Sequence, residues 1–428
     1  MALDSELRAR GSRLLLAIGE PPAVLADIAK ETGADRVHAQ RRWAPDPHEA
    51  DGTTECVLRA TGIAYVRFGG SLLHDPLSMT TRGGDSYRVF GPFARRVFAS
   101  TTTLELHDAP MHLAAPETWP GSRHIAELQL SPTAVPALSG WHPGEAGAHE
   151  RLGRFLDGLV ERYDTDRDRP GVPGTSRLSP HLRFGEIAPA RVWTEVQSVG
   201  AETAEPFLRQ LLWREFSWHL LAHYPHSIDR PLKPGFEFFP WSRDPEGLDA
   251  WEQGRTGFPI VDAGMRELVA TGWMHNRVRM VAASVLTKDL LLPWQSGAHY
   301  FWRHLFDADL ADNTFGWQWV AGSGADAAPY FRVFNPTMQG ERFDGDGAYV
   351  RRWVPELTGV PDRWIHEPQA APGDVLAAAG VRLGETYPRP IVDHMHARRR
   401  ALAIYDAVRR GGIGGSDRRA AGGRSGAA

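Results

Sequence analysis

The sequence has 428 residues, of which 42% are hydrophobic and 23% charged, and a net charge of −4. These values are typical of a soluble globular protein, and no apolar run approaches the roughly 18 residues that a membrane span needs, so we expect no membrane partner. A single cysteine, Cys56, excludes an internal disulfide and a cysteine-ligated iron–sulfur cluster and favours a reducing, cytoplasmic location. Because acidic and basic residues nearly balance, nothing global indicates a nucleic-acid binder, and a DNA site has to be local.

The first part of the sequence alternates short apolar runs with helical stretches. Ser12–Ile18, Arg36–Ala39 and Ile63–Phe68 have the composition of strands, and Pro22–Thr32 has the spacing of a helix. Strand–helix–strand alternation predicts a parallel sheet with helices packed on it. We therefore expect a Rossmann-like parallel α/β domain over residues 1–107.

The rest of the sequence changes character twice. Residues 108–149 are rich in Pro, Gly and Ala and are predicted to be an interdomain linker. Residues 150–410 are predicted to form an all-helical domain, and the Gly-rich, Arg-containing residues 411–428 to be a disordered tail. Helical spacing recurs in Leu152–Tyr163, Glu186–Val199, Glu205–His223, Pro259–Thr271, His275–Leu292, Gly297–Phe306 and Pro390–Arg409.

The segment Gly174–Ser179 (GTSRLS) stands just before a helical stretch. Thr and Ser at a helix N-terminus can cap its free amide groups, and taken alone the segment favours this structural role. The same amides, with the hydroxyls and Arg177, can instead hold a phosphate. Both interpretations stay open on this segment alone.

The segment Leu211–Phe216 (LLWREF) places Trp213 in a predicted helix beside Arg214 and Glu215. Alone it favours a core tryptophan next to a salt bridge. The unusual feature is the tryptophan content, because only three of the 15 tryptophans precede residue 150. A large aromatic core in the second part of the chain explains this excess as well as a functional role does.

The segment Trp273–Met280 (WMHNRVRM) concentrates polar groups on one predicted helix. Residues four apart share a face, so Asn276 and Met280 are predicted to point the same way. An amide beside a thioether is unusual for either a core or a surface. The pair suits a pocket that holds a flat, partly polar ring.

The segment Phe306–Trp319 (FDADLADNTFGWQW) is the richest in carboxylates. A calcium loop is the obvious alternative, but its glycine and terminal glutamate spacing is absent, so we predict no metal site. Side-chain acceptors that face a ligand with N–H and hydroxyl donors are the better interpretation. The acceptors in question are Asp307, Asp309, Asp312 and Asn313.

Together these segments are far more specific than any one of them. In order and spacing, the sequence resembles the photolyase/cryptochrome family, and within it the class I type that repairs cyclobutane pyrimidine dimers, through GTSRLSPHLRFGEI, QLLWREF, GFPIVDAGMRELVATGWMHNRVRM, DADLADNTFGWQW and GADAAPYFRVFNPTMQGERFD. The resemblance is nearly continuous over 150–410 and weaker over 1–110. It implies an α/β domain followed by an all-helical FAD-binding domain in a monomeric, DNA-repairing lyase.

The resemblance implies FAD as the cofactor, with an antenna pigment of the folate or deazaflavin type that the sequence does not assign. Asp307 and Asp309 match carboxylates that face ribose and flavin, and Arg279 matches the partner of the second, so an Arg279–Asp309 pair is expected. Asn313 matches the group beside flavin N5. The other matched cofactor positions are Tyr163, Thr175, Ser176, Arg177, Leu178, Ser179, Arg214 and Asn276.

The implied partner is UV-damaged DNA that contains pyrimidine dimers. Excited, reduced flavin donates an electron to a dimer that has left the duplex, the dimer splits and the electron returns. Trp213 and Trp319 match the aromatic walls that receive the flipped dimer. The other matched lesion-facing or DNA-facing positions are Gln210, Asn276, Arg277, Met280, Arg332 and Gln339.

Trp241, Trp294 and Trp317 match three tryptophans that carry electrons from the surface to the photoexcited oxidised flavin. Each one singly also fits an aromatic core. As an ordered trio inside longer matched motifs, they are predicted to serve electron transfer.

Two departures from the family pattern bear on the subclass. Gln210 stands where dimer-specific photolyases often have Glu, as it does in relatives that act on (6-4) photoproducts. Against that subclass, Asn276 follows His275 where the (6-4) relatives have a second His, and Met280 also favours the cyclobutane group. The alternatives are therefore a cryptochrome-like blue-light receptor, a (6-4) photolyase and a nonfunctional remnant.

The N-terminus is a third departure. Family members begin with a strand carrying a WFRRDLR-like motif and then a second strand, and neither is present here. The resemblance identifies Ser12–Ile18 with the family's third strand. It therefore implies an α/β sheet without its first strands.

Overall fold

The structure is a computed structural model that describes residues 2–101, 104–128, 140–327 and 331–410. The predicted disordered tail, 411–428, lies outside these residues. The chain divides into two compact units, and the domain boundaries expected at 107, 149 and 410 stay predictions. The first unit comprises Met1–Tyr87, Gly91–Val160 and Ser176–Pro225, and the second comprises Arg88–Phe90, Glu161–Thr175 and His226–Ala428.

Helices make up most of the described structure, with two strands near the N-terminus. The helices are α1 Ala2–Ala9, α2 Pro21–Thr32, α3 Pro45–Ala60, α4 Phe90–Ser100, α5 Glu145–Arg154, α6 Tyr163–Asp166, α7 Ser179–Phe184, α8 Pro189–Gln197, α9 Ala201–His223, α10 Pro245–Glu252, α11 Pro259–Thr271, α12 Asn276–Ser284, α13 Trp294–His304, α14 Leu310–Ala321, α15 Pro336–Phe343, α16 Ala348–Trp353, α17 Gly373–Ala378 and α18 His394–Arg409. The strands are β1 Arg36–Gln40 and β2 Ala64–Phe68.

The two strands of the first unit pair in parallel, with Arg36 opposite Ala64 and Gln40 opposite Phe68. Helix α3, which was not predicted, connects them and gives a strand–helix–strand unit. Helix α2 begins with prolines and ends at Gly33, whose φ of 68° is the left-handed conformation common after a helix. The predicted α/β character of this region is confirmed.

The strand prediction for Ser12–Ile18 is wrong. The segment has no regular secondary structure. Its N–H groups donate to side chains instead of a neighbouring strand: Leu14 to Asp4 Oδ1 at 3.0 Å, and Leu16 to Ser122 Oγ at 3.0 Å. An apolar run is therefore not sufficient for a strand, because the ladder also needs a partner strand.

The helix predicted over Leu152–Tyr163 is interrupted. Helix α5 ends at Arg154, and the following π turn contains Asp157 and Gly158 in non-helical conformations, with Gly158 at φ 114°. Because only glycine adopts that φ without strain, its presence inside an apolar-periodic stretch was the available signal for a break. Helix α5 also begins at Glu145, inside the predicted linker.

Helix α11 lies in the core of the second unit and has the bounds that its sequence spacing predicts. Its ends carry Pro259 at the start and Gly272, φ 68°, just after the last turn. The N–H of Phe306 donates to the carbonyl oxygen of Gly272 at 2.7 Å. A Cβ on Gly272 would stand 2.8 Å from the Phe306 ring, so this close approach requires glycine. The end of α11 thereby fixes the chain immediately before Asp307.

Among the described helices, none is long and apolar enough to cross a membrane.

Candidate functional site

Helix α14 is anchored at its start by Asp309. The Asp309 carboxylate accepts the backbone N–H groups of Ala311 at 3.0 Å and Asp312 at 3.2 Å, as an N-cap residue does. The carboxylate is only 5% exposed, and its charge is favourable at the positive end of the helix dipole. Asp309 therefore fixes where α14 begins.

Asp307 forms an ion pair with Arg279. Arg279 Nη2 donates to Asp307 Oδ2 at 2.8 Å, and its Nε donates to the carbonyl oxygen of Met274 at 2.7 Å. The resemblance had pointed to Asp309 as the partner of Arg279. The structure pairs Arg279 with Asp307, because Asp309 is directed to the amides of its own helix.

The second oxygen of Asp307 is the informative atom. Asp307 Oδ1 is buried and has no hydrogen-bond partner among the described residues, while its side chain is 4% exposed. A buried carboxylate oxygen without a donor costs about 1–3 kcal/mol or more, so native proteins supply one from a neighbour, water or ligand. Asp307 therefore presents an acceptor to an N–H or O–H group that none of the described residues provides.

Asn313 lies one turn along α14 from Asp309. Its Nδ2 donates to the carbonyl oxygen of Ala298 on α13 at 3.0 Å, which fixes the amide and ties the two helices together. With the amide oriented this way, its Oδ1 is the group offered to another donor. Asn313 is half-buried, as a residue on the wall of a ligand site would be.

The far end of α14 is held by a lysine that sequence reasoning missed. Lys288 is fully buried, donates to the carbonyl oxygen of Ala321 at 2.6 Å, and has its Nζ 3.2 Å from the Phe331 ring centroid. Burial holds the pKa of Lys288 well below its usual range. The contacts with the last carbonyls and an aromatic face fix α14 at its C-terminus, as Asp309 does at its start.

Trp317, one of the three predicted electron carriers, is buried in α14. Its ring is edge-on to Phe301 at 5.0 Å and to Trp251 at 6.1 Å. A Cβ on Gly297 of α13 would stand 2.0 Å from the Trp317 ring, so the two helices approach too closely for any side chain there. Trp251 had no predicted role, and no local pattern distinguished it.

The other two predicted carriers also lie in the second unit. Trp294 is the first residue of α13 and is 2% exposed, whereas Trp241 is half-buried against Phe239, with ring centroids 4.4 Å apart. Both pack against the hydrophobic core that contains Trp317. A shared core is compatible with the structural and the electron-transfer roles alike, so the role of the trio stays a prediction.

Asn276 and Met280 share a face of α12, as their spacing predicts. Asn276 Nδ2 lies 3.9 Å from the Met280 sulfur. Asn276 is exposed, and Met280 is half-buried against the core. The amide is therefore accessible while the thioether forms an apolar floor beside it.

Both arginines among the predicted DNA-facing residues of the second unit lie against aromatic rings. Arg277 lies over the Phe343 ring at 4.4 Å and pairs with Asp168 at 2.8 Å, and exposed Arg332 lies over the Trp319 ring at 5.8 Å. Trp319 is fixed by its Nε1, which donates to the carbonyl oxygen of Asp326 at 3.1 Å. Gln339 is half-buried in α15. Arg342, on the same Phe343 ring at 5.1 Å, was not predicted.

In the first unit, α9 carries three of the predicted site residues. Trp213 is half-buried with its ring edge-on to Phe216, and Gln210 Nε2 donates to the carbonyl oxygen of Pro206 in its own helix at 3.2 Å. Arg214 Nη1 donates to the carbonyl oxygen of Ser71 at 2.8 Å. Arg214, predicted to bind cofactor, is thus engaged with the segment that follows β2.

Two more α9 residues organise the segment after β2. Glu215 is 4% exposed, and its Oε2 accepts the N–H of Leu73 at 2.9 Å and of His74 at 3.3 Å. These contacts span more than 140 residues of sequence, so the LLWREF motif gives no local indication of them. The salt bridge expected beside Trp213 is present but loose, with Arg214 Nη1 and Glu215 Oε1 3.8 Å apart.

His219, also on α9, is a buried ring with both nitrogens used. Its Nε2 accepts the N–H of Tyr87 at 3.0 Å, so the proton is on Nδ1, which donates to the carbonyl oxygen of Pro76 at 2.9 Å. Burial lowers the pKa of His219 from 6.5 to about 4. The neutral form is therefore the one that the fold requires.

Stability is expected to fall as pH decreases from 6.5 toward 4, since in that window the unfolded chain binds a proton that folded His219 excludes. The shift corresponds to a loss of about 3 kcal/mol across the window. Urea unfolding at a series of pH values measures it. His219→Gln, which can still donate and accept, should flatten the profile, and His107→Gln, at an exposed position, should leave it unchanged. If the free energy of unfolding depended on pH in the same way in the wild type and in His219→Gln, His219 would not be the cause of the loss of stability.

The predicted phosphate segment has an unusual backbone. Arg177 adopts φ 52°, and the N–H of Leu178 donates to Ser176 Oγ at 3.3 Å. Leu178, not Ser or Thr, precedes α7, and it makes no side-chain cap, so the simple capping interpretation is wrong. A Cβ on Gly174 would stand 2.6 Å from Asp166 Cβ, which explains the glycine.

Three further predicted cofactor residues, Thr175, Ser179 and Tyr163, lie in or before this segment of the sequence. Thr175 is half-buried and Ser179 is exposed, whereas Tyr163 is buried at the start of α6. Burial raises the pKa of Tyr163 to about 12. Its hydroxyl is thus neutral, with a proton to donate. Across the described ranges, no group of three His, Cys, Asp or Glu residues could hold a metal ion.

Comparison with known proteins gives a consistent result. The family model described as "FAD binding domain of DNA photolyase" matches residues 207–407, and the model described as "DNA photolyase" matches residues 1–115. A deoxyribodipyrimidine photo-lyase of Agrobacterium fabrum is 47% identical over 417 residues, which cover 96% of this chain and 87% of the relative. Cryptochrome-1 of Arabidopsis thaliana is 37% identical over 91% of this chain and 60% of its own length.

A solved structure is similarly close. The crystal structure of a bacterial class III photolyase from Agrobacterium tumefaciens has a TM-score of 0.91 and 47% identity, covering 96% of this chain and 86% of the other. Its description names class III, whereas the sequence motifs were compared with the class I type. Identity and coverage are high in both comparisons and agree with the motifs. This chain belongs to the DNA photolyase/cryptochrome family.

Proposed function

We propose that this protein is a deoxyribodipyrimidine photo-lyase, which binds FAD and uses blue light to split cyclobutane pyrimidine dimers in UV-damaged DNA. The observation that carries the proposal is the Arg279–Asp307 pair, whose second carboxylate oxygen is buried without a partner among the described residues. It lies at the start of α14, inside the segment that matches the FAD binding domain of DNA photolyase.

The residues around α14 suit FAD. Asp307 offers a carboxylate oxygen and Asn313 an amide oxygen to N–H or hydroxyl donors, which the isoalloxazine ring and the ribityl and ribose groups supply. Arg279 orients the Asp307 carboxylate through the hydrogen bond from its Nη2. The remaining assigned FAD positions stay predictions: Tyr163, Thr175, Ser176, Arg177, Leu178, Ser179, Arg214 and Asn276. We assign no residues to an antenna pigment.

Bound FAD supplies the light-driven electron for dimer cleavage. The protein's own contribution is binding and orientation. Asp309 and Lys288 fix the two ends of α14, and the hydrogen bond from Asn313 to Ala298 ties the helix to α13. Trp317 is buried against Phe301 and Gly297, which keeps water away from its indole.

Recognition of DNA rests on local charge and stacking. The chain is net acidic, so Arg277, Arg332 and Arg342 supply the positive charge where it is needed. Trp319 is locked by its bond to Asp326, which makes its ring a preformed face for a flipped base. Trp213 is assigned the corresponding role in the first unit, and Gln210, Asn276, Met280 and Gln339 are assigned to lesion contact.

A blue-light receptor without repair activity is the second candidate, because Cryptochrome-1 of Arabidopsis is 37% identical over most of this chain. A (6-4) photolyase is disfavoured by Asn276, an amide that cannot act as the acid that a second histidine would supply. Gln210 does not favour it either, since its Nε2 is turned back to Pro206.

We also place the enzyme in the cytoplasm as a monomer. An exposed free thiol such as that of Cys56 is typical of proteins in a reducing compartment, which supports the location. Sedimentation velocity of the purified protein with FAD tests the monomer directly.

The decisive experiment is a repair assay on the purified protein with reduced flavin. Oligonucleotides with either a cyclobutane dimer or a (6-4) product are kept dark or given blue light, and the recovery of thymine absorbance is followed. We expect light-dependent recovery of the cyclobutane substrate alone. Recovery of neither substrate by protein that retains photoreducible FAD would support the receptor, and recovery of the (6-4) product would support that subclass.

A further inference from the structure

Arg277 is held between an aromatic ring and a carboxylate in the second unit. It lies over the Phe343 ring at 4.4 Å, and its Nη2 is 2.8 Å from Asp168 Oδ1. The Arg277 side chain is 18% exposed and that of Asp168 is 32% exposed. Arg342 approaches the same ring at 5.1 Å and is itself exposed, so two guanidinium groups share Phe343.

The orientation of Arg277 does not depend on Asp168 alone. Its Nε is buried and has no partner among the described residues, and the ring of Phe343 supports the guanidinium plane. The N-terminal turn of α12 holds its backbone, where the N–H of Arg277 donates to His275 Nδ1 at 3.2 Å. Only the Nη2 edge is directed to the accessible carboxylate of Asp168.

A carboxylate and a phosphodiester make the same demand on that edge. Both present two oxygens that share one negative charge and accept charge-assisted bonds of about 2.7–2.9 Å from a guanidinium. While Asp168 is bound, it neutralises Arg277, and a phosphate that arrives must displace the carboxylate or be repelled by it. Arg167 and Arg169 flank Asp168 in the sequence, so two positively charged residues remain next to the carboxylate after it leaves Arg277.

We infer that Asp168 is an internal competitor for the phosphate site on Arg277 and that it sets the affinity of the protein for the DNA backbone. The inference rests on the proposed function, since it needs DNA as the partner. In the absence of DNA, Asp168 occupies the guanidinium edge; on binding, a backbone phosphate replaces it. The exchange involves only a backbone phosphate, so the affinities for damaged and undamaged duplexes are lowered by the same factor.

The test is Asp168→Asn, which retains an acceptor for Arg277 but removes the negative charge. The matched control is Glu356→Gln, because Glu356 pairs with Arg266 at the same 2.8 Å with side chains 23% and 26% exposed. Both variants change the net charge by the same amount. The measurement is fluorescence anisotropy of a labelled undamaged duplex and a dimer-containing duplex, over a series of salt concentrations.

We expect Asp168→Asn to bind both duplexes about two- to fivefold tighter at low salt, the range of a partly exposed ion pair. The slope of log affinity against log salt should stay at the wild-type value, because the same phosphate is neutralised in both complexes. Glu356→Gln should match wild type. Combining Asp168→Asn with Arg277→Gln should abolish the gain, because the competitor then has nothing to compete for.

Other outcomes overturn the inference. Affinity of Asp168→Asn equal to wild type, or a gain that persists without Arg277, excludes competition at this site. Weaker binding by Asp168→Asn would make Asp168 a positioning residue for Arg277. If Asp168→Asn lost its flavin or melted early, Asp168→Ser would be measured in its place. Wild-type protein that neither binds nor repairs DNA would instead reject the proposed function itself.

Discussion

Asp307→Asn is expected to lose its FAD on purification. Asp307 has two acceptor oxygens, of which Oδ2 receives Arg279 and Oδ1 is buried without a partner among the described residues. Asparagine has one oxygen and one NH₂ of the same shape. If the amide NH₂ faces Arg279, two donors oppose each other there. If it faces the cofactor, it opposes the cofactor's donor instead, so one of the two hydrogen bonds is lost in either orientation.

The expected loss is large because the group is buried and charged. A charge-assisted hydrogen bond contributes about 1.5–3 kcal/mol, which corresponds to a FAD affinity lower by on the order of ten- to a hundredfold. The measurement is flavin absorbance per protein after purification, followed by titration of the apoprotein with FAD. The melting temperature of the apoprotein separates loss of cofactor from loss of fold.

The matched control for this experiment is Asp362→Asn. Asp362 accepts from Arg351 Nη2 at 2.7 Å but is 63% exposed, so it has the same chemistry without burial. It should retain flavin at the wild-type level. If Asp307→Asn kept all of its FAD and Asp309→Asn lost it, the assignment of Asp307 to the cofactor would be contradicted. Asp309, which the sequence resemblance had paired with Arg279, would then be the carboxylate that binds FAD.

Local patterns in the sequence predicted local structure well. The spacing of Pro259–Thr271 gave the exact bounds of α11, since proline and glycine mark its two ends. Asn276 and Met280 share a face because residues four apart on any helix do. The strand character of β1 and β2 followed from two short apolar runs, although the helix that joins them, α3, was not predicted. In each case, the pattern and the structure involve only a few neighbouring residues.

The partner of Arg279 was predicted wrongly although the sequence carried a signal. Asp312 stands three residues after Asp309. An acidic residue three positions after the N-cap is typical of the first turn of a helix. That spacing predicts an N-cap at Asp309 and leaves Asp307 as the carboxylate available to Arg279. The capping requirement of α14 therefore decides which of the two carboxylates pairs with Arg279.

Contacts between distant parts of the sequence could not be predicted at all. Glu215 accepts amides more than 140 residues away, and Asp168 pairs with Arg277 across more than 100 residues. Neither carboxylate stands in a pattern that distinguishes it from an exposed surface residue. Their burial and partners follow from tertiary packing, which a single sequence does not encode in any local period.

Trp317→Phe is expected to lose photoreduction of oxidised FAD while repair with chemically reduced FAD continues. Phenylalanine keeps an aromatic ring between Phe301 and Trp251, but it lacks the readily oxidised indole. If Trp317 is the donor adjacent to the flavin, its loss should slow photoreduction by more than about tenfold, the effect of ~1.4 kcal/mol of added barrier. The measurement is the rate of flavin bleaching under blue light with an external reductant.

The control must reproduce the loss of a buried indole without touching the trio. Trp193 serves, because it is 1% exposed and packs in the first unit against Phe98 at 5.3 Å. Trp193→Phe should destabilise the protein to a similar degree and photoreduce at the wild-type rate. If both variants slowed equally, the effect would come from packing. If Trp317→Phe photoreduced normally, the indole would have only a structural role in the core, and electrons would reach the flavin without the predicted trio.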